Sequence, residues 1–391
     1  AGIVVIGSTA ALPGWDTAGE YSVAAGAILA VPNSVSDTGF ATMLATGNFA
    51  AGSSIGFDTS AGNRAYSAAV GGDVGLAKLG PNTLTLSGTH AYTGGTTVLA
   101  GTLALSGTGA LPATGTVNLS GATASLDISG ISASGASIGS LSGVAGSSVA
   151  LGTKNINVGG NNTDASFAGA ISGTGGSLTK SGTGTLTLSG TNTYTGGTTV
   201  AEGVLSIATT GALPGWNTAD GFSVAGGAIL AVGNSVSDDD FATMRALEDN
   251  FIAGASIGFD TSDGGRAFEP VIEGTVGLAK IGPNTLALAG NQSNTYSGLT
   301  TVLGGDLMLR KEDGALAVPG DVVIASGGRL RFGQDDQIAD DAHVVMSGSG
   351  SGFNASGVNS GARTNHTETI GSLTVTGGAF NSGNTNDSSV W

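Results

Sequence analysis

The chain contains no cysteine. That removes disulfides, zinc–thiolate centres, thiol redox chemistry and a cysteine nucleophile together. Charge is scarce as well: charged residues are 10% of 391, and the formal net charge is −16. An acidic balance of this kind disfavours nucleic acid and anionic membrane surfaces as partners. No apolar run approaches the ~20 residues of a membrane-spanning helix. The first residues, Ala1 to Gly7, carry no basic residue and only a short apolar run, so they do not read as a signal peptide. Histidine occurs at His90, His343 and His366 only, and no pair has the helical spacing of metal ligands.

Glycine is abundant, at 71 residues, yet it has no strict third-residue period, which excludes collagen. Hydrophobic residues reach 40%, too many for a disordered chain. The order lies in repetition. Gly-Leu-Ala-Lys-Leu-Gly-Pro-Asn-Thr-Leu-Thr-Leu-Ser-Gly begins at Gly75 and returns in related form from Ser177 and from Gly277. The lysines Lys78, Lys180 and Lys280 lie 102 and then 100 residues apart (180 − 78, 280 − 180). A Leu-Pro turn recurs on the same period at Leu12-Pro13, Leu111-Pro112 and Leu213-Pro214, with a looser form at Leu316–Pro319. A period like this means an array. The expected organisation is one continuous array with units of about 1–105, 106–207, 208–309 and a partial 310–391. Both ends fall inside a repeat, so the segment is expected to continue covalently in a longer chain or to stack end to end with another copy.

Within each copy, Thr83-Leu84-Thr85-Leu86 and its counterparts alternate with period two, the pattern of a strand with one buried face. Leu103 and Leu105 repeat the pattern nineteen residues on (103 − 84), and Leu307 and Leu309 follow Leu286 and Leu288 by twenty-one (307 − 286). A strand returning every ~20 residues predicts a coil whose windings lie parallel, ~4.8 Å apart. Leu84, Leu86, Leu186, Leu188, Leu286 and Leu288 are the expected core. Ser36 and Ser237 each precede a Phe and a Met three apart, which predicts a short capped helix in units one and three, over Phe40–Ala45 and Phe241–Leu247.

These motifs resemble the autotransporter-associated β-strand repeat. The resemblance is carried by Leu178-Thr179-Lys180-Ser181-Gly182 through Thr185-Leu186-Thr187-Leu188, then Tyr194-Thr195-Gly196-Gly197-Thr198-Thr199-Val200, with close copies over 75–105 and 277–309. It implies an all-β, right-handed parallel β-helix in the passenger of a type V secreted protein, outside the cell. It implies no activity.

Candidate chemistry is thin. Gly-x-Ser-x-Gly occurs at Gly52–Gly56, Gly135–Gly139 and Gly254–Gly258, but in each case inside an apparent strand rather than a strand-turn-helix elbow. His90 stands where the other copies have Asn192 and Asn294, which makes it a turn residue. His343 and His366 have no repeated partner. Asp238–Asp240 read as a helix start, where negative charge suits the helix dipole, ahead of calcium. Asp335-Asp336 have the same alternative. Only Arg329 and Arg331 among the arginines sit close together at strand spacing. Lys78, Lys180 and Lys280 are read as solvated charges at strand edges, which discourage edge pairing. Tyr92, Tyr194 and Tyr296 are read as packing across a corner. Trp15 and Trp216, in matched Leu-Pro-Gly-Trp turns, are the candidate glycan contacts, weighed against simple packing. The expected function is therefore an extracellular or cell-surface stalk, fibre or adhesive passenger without catalysis, cofactor or metal. A carbohydrate-active or carbohydrate-binding coil is the alternative, and the expected ligand is a surface glycan or matrix component.

Overall fold

The computed structural model describes residues 2–380 apart from 326, 355, 360, 361, 366 and 378. The polar tail from Asn381 and His366 therefore lie outside the described residues. The chain divides into two compact units, Ala1–Gly203 with Gly211–Pro214, and Val204–Thr210 with Gly215–Trp391.

Each unit is a parallel β-solenoid. In the first, Leu84 pairs with Leu103, Leu103 with Leu126, Leu126 with Val149 and Val149 with Ile171, all in parallel. A parallel partner roughly 20 residues further on cannot be reached by a hairpin, so the chain completes a circuit between strands. A second sheet carries Ile55, Leu76, Thr96, Val117 and Leu141 side by side, and a third carries Ile138, Val158, Lys180 and Val200. In the second unit Leu230, Ile257, Leu278, Thr300, Val322 and Val344 form one ladder, and Leu286, Leu307, Leu330 and Phe353 another.

The interior follows the period-two pattern. Leu84, Leu86, Leu186, Leu188, Leu286 and Leu288 are all buried, whereas Thr85 and Thr187 between them are partly exposed. Each buried leucine contributes on the order of 2 kcal/mol by leaving water.

Among the described residues two α-helices interrupt the strands, α1 (Asp37–Ala45) and α2 (Asp238–Ala246); they cover the predicted stretches except Leu247, which caps α2. Ser36 and Ser237 cap them by accepting hydrogen bonds from Gly39 N and Asp240 N. Phe40 and Met43 of α1, and Phe241 and Met244 of α2, are buried. Phe40 stacks on Phe57 at 4.1 Å, and Phe241 on Phe259 at 4.3 Å. An arginine ties each helix down. Arg64 donates to Asp37 Oδ1 at 3.0 Å and lies 4.6 Å over the Phe57 ring; Arg266 donates to Asp238 Oδ1 at 2.5 Å and lies 4.8 Å over Phe259. Asp238 thus serves the helix and its arginine.

Candidate functional site

The chemistry shared by the three copies is internal. Lys78, Lys180 and Lys280 are 0–1% exposed, so the expectation of solvated edge charges is corrected. Side chains two apart in a strand share a face. Leu76, Leu178 and Leu278 are buried, and the lysine two residues on follows them inward. Each ammonium finds three backbone carbonyls. Lys78 Nζ donates to Leu79 O, Gly80 O and Ala100 O at 3.0, 2.8 and 2.8 Å. Lys180 donates to Ser181 O, Gly182 O and Glu202 O at 2.8, 2.7 and 3.1 Å. Lys280 donates to Ile281 O, Gly282 O and Gly304 O at 2.9, 2.7 and 2.8 Å.

An ammonium has three donors and no acceptor, so three carbonyls satisfy it completely. Two of the carbonyls come from the turn after the lysine and one from the next winding, so the lysine staples adjacent windings. The turn needs glycine: Gly80, Gly182 and Gly282 have φ of +79°, +66° and +81°. Burial lowers the pKa of all three lysines to about 8. Asp58 pulls Lys78 the other way, Glu202 and Asp164 act on Lys180, and Asp260 and Asp306 on Lys280.

Two further contacts recur beside the staple. The hydroxyls of Tyr92, Tyr194 and Tyr296 meet Thr96, Thr198 and Thr300 at 2.5, 2.5 and 2.7 Å inside the coil. The tyrosines are 1% exposed, and burial raises their pKa values. Asn192 accepts from Ile171 N and donates to Ala212 O; Asn294 accepts from Ile272 N and donates to Ala317 O. His90 reproduces half of this. Its Nδ1 accepts from Val70 N at 3.0 Å, but its Nε2 is buried without a partner. Burial lowers its pKa. His90 is thus a packed, neutral turn residue, as its place in the repeat indicates.

The remaining candidates are dispersed. Ser54, Ser137 and Ser256 of the Gly-x-Ser-x-Gly matches lie in the strands Ser54–Asp58, Gly135–Ile138 and Ser256–Asp260. His343 Nδ1 is 2.7 Å from Ser372 Oγ, its partner across the ladder. Arg329 and Arg331 are spent on one carboxylate, Asp306, at 2.5 and 2.9 Å. Asp335 Oδ1 accepts from Thr367 N. Trp15 and Trp216 are half-buried, and the Trp15 ring rests near Gly39 of α1.

The fold and its buried staples define a class: a solenoid assembled from duplicated modules whose common residues face the interior. The modules resemble a known family. The passenger-associated-transport-repeat model matches residues 76–105, 178–207 and 278–309, each match containing one lysine staple and one tyrosine–threonine pair. Three stretches of the chain are thus similar to the passenger-associated-transport repeat. No curated protein and no solved structure matches it.

Proposed function

We propose that this chain is a structural or adhesive segment of a secreted passenger, held at the cell surface, and that it performs no catalysis of its own. One observation carries the reading. What the three copies have in common is buried: the lysine staple, the tyrosine–threonine pair and the amide or imidazole latch. Selection for a reactive surface would repeat exposed groups; selection for a scaffold repeats interior ones. The match to a passenger-associated repeat supports the same reading and its location.

The test is surface labelling of intact cells producing the protein from its own gene. An antibody against the exposed loop at Asp16–Glu20 should bind intact cells, and external protease should remove the signal. Replacing Lys78, Lys180 and Lys280 together by Met should lower the amount of protease-resistant protein displayed. Exclusive retention of the wild-type chain inside the cell would refute the proposal.

A further inference from the structure

The third copy departs from the other two on one outer face, and the departures converge on a groove. A hollow of about 560 Å³ is lined by Glu269, Asn291, Arg310, Glu312 and Gln334 among others. A second, of about 480 Å³, adjoins it through Glu269, Gly290 and Asn291 and adds Gln292. All of these residues belong to the second unit. Strand register identifies their counterparts. Where the third copy has Glu269, Asn291 and Arg310, the first has Ser67, Thr89 and Ser106, and the second has Ala168, Thr191 and Ala208. The scaffold is the same; only here are the short side chains replaced by a carboxylate, an amide and a guanidinium.

The chain is also longer here. The third match spans 278–309, two residues more than 76–105, and the excess falls at Gln292-Ser293. Gln292 lines the groove, and Ser293 Oγ accepts from Leu316 N at 2.9 Å, which fixes the lengthened turn. The groove's charges are uncommitted. Arg64, Arg266, Arg329 and Arg331 each pair with an aspartate. Among the described residues Arg310, Glu269 and Glu312 form no ion pair, though all three line the same hollow.

We infer that this groove is a binding site for a neutral or amino-sugar oligosaccharide lying across successive windings. Glu269, Asn291, Arg310 and Gln334 follow the inward residues Phe268, Leu288, Leu309 and Phe332 within three residues, so they rise one winding at a time. Windings are spaced by roughly 4.8 Å, close to the length of one sugar residue. Carboxylate, amide and guanidinium groups together donate to and accept from hydroxyls, and the charged ones make the stronger bonds. Glu269 and Glu312 outnumber Arg310, which selects against uronic acids and sulfated sugars. A peptide strand has no open edge to join on this face, because Leu286, Leu307, Leu330 and Phe353 already pair in sequence.

The experiment is a titration of the whole chain with cellotetraose, mannotetraose and chitotetraose, with polygalacturonate and oligolysine as charged comparators. Binding to at least one of the first three is expected, weakened about tenfold or more by Glu269→Gln or by Arg310→Ala. Both residues are exposed, so circular dichroism and urea midpoint should match wild type and exclude misfolding. Trp216→Ala should leave the affinity unchanged. The inference is overturned by absence of binding to all three sugars, by preference for polygalacturonate or oligolysine, or by affinity that survives both groove variants. Loss on Trp216→Ala instead would move recognition to the Leu-Pro-Gly-Trp turn and overturn it equally. None of these outcomes bears on the scaffold reading, which concerns buried residues.

Discussion

Replacing Lys180 by Met separates a buried staple from a solvated charge. Methionine keeps most of the aliphatic stem and removes the ammonium. Three carbonyls, Ser181 O, Gly182 O and Glu202 O, then lose their donor. Hydrogen bonds to a charged group contribute about 1.5–3 kcal/mol each, so three are worth roughly 5–9 kcal/mol. Burial of the ammonium offsets part of this. A pKa near 8 in place of 10.5 corresponds to about 3 kcal/mol against the charged form. The difference leaves a loss of about 2–6 kcal/mol for Lys180→Met. Apolar replacement of a buried ion pair is often harmless because both partners go. Here the acceptors are backbone and remain.

Arrays of repeats unfold in parts, so a single global midpoint blurs a local loss. The sharper assay is hydrogen exchange across 178–203, read beside a urea titration. Protection in that stretch should fall with Lys180→Met and stay unchanged with Lys154→Met, a partly exposed lysine outside the repeats. Lys180→Arg should also destabilise, because a planar fork cannot aim three donors at one ring of carbonyls. A change below about 0.5 kcal/mol for Lys180→Met, as for an ordinary surface site, would refute the staple.

Other expectations follow the same geometry. Leu186→Ala should cost about 2–5 kcal/mol and Thr187→Ala far less, measured by urea denaturation; equal losses would contradict the inward assignment. His90→Asn should stabilise by about 1 kcal/mol, because the amide of Asn192 and Asn294 satisfies a carbonyl that Nε2 of His90 does not; a lower melting temperature would count against this. Ser237→Ala should cost about 1 kcal/mol and expose α2 to exchange, with no loss of protection around Lys78 or Lys180. Stability should rise with pH from 8 to about 10, since lysines that titrate near 8 when folded and at 10.5 when unfolded leave the unfolded chain holding more protons. Above 10 it should fall, because buried Tyr92, Tyr194 and Tyr296 have raised pKa values and the unfolded chain loses those protons first. A steady decline from pH 8 in urea midpoints would exclude the lysine half of this argument.

Much of the fold was legible because it depends on short-range pattern. Alternation at Thr83–Leu86 and its return nineteen residues later are enough to require parallel windings. Ser36 and Ser237 before Phe and Met are enough for the helices. The staple was less so, although half of it was visible. Leu76 and Lys78 share a face by simple alternation, and Gly80, Gly182 and Gly282 follow each lysine by two. A charge at a strand edge discourages edge pairing, which set the lysines in solvent, but they are buried. The deciding acceptors, Ala100 O, Glu202 O and Gly304 O, lie 22 to 24 residues away on the next winding. The groove was hidden for the same reason. Glu269, Asn291, Arg310 and Gln334 look isolated in the sequence and become neighbours only when the chain is wound.

Duplication supplies an internal control that one copy alone lacks. A residue held in all three copies is answering a demand the scaffold makes everywhere. The lysine staple is such a residue, since every winding exit with an inward carbonyl needs a donor. A residue changed in one copy alone either answers a local demand or records drift. His90 is one kind of change: it leaves Nε2 unpartnered and offers nothing outward, which marks drift tolerated by a stable coil. Arg310, Glu269 and the Gln292-Ser293 insertion are another kind. They lie on separate windings, and Arg310, Glu269 and Gln292 still border two adjoining hollows. Drift has no reason to converge in space, so convergence is the physical ground for looking there first for what the protein touches.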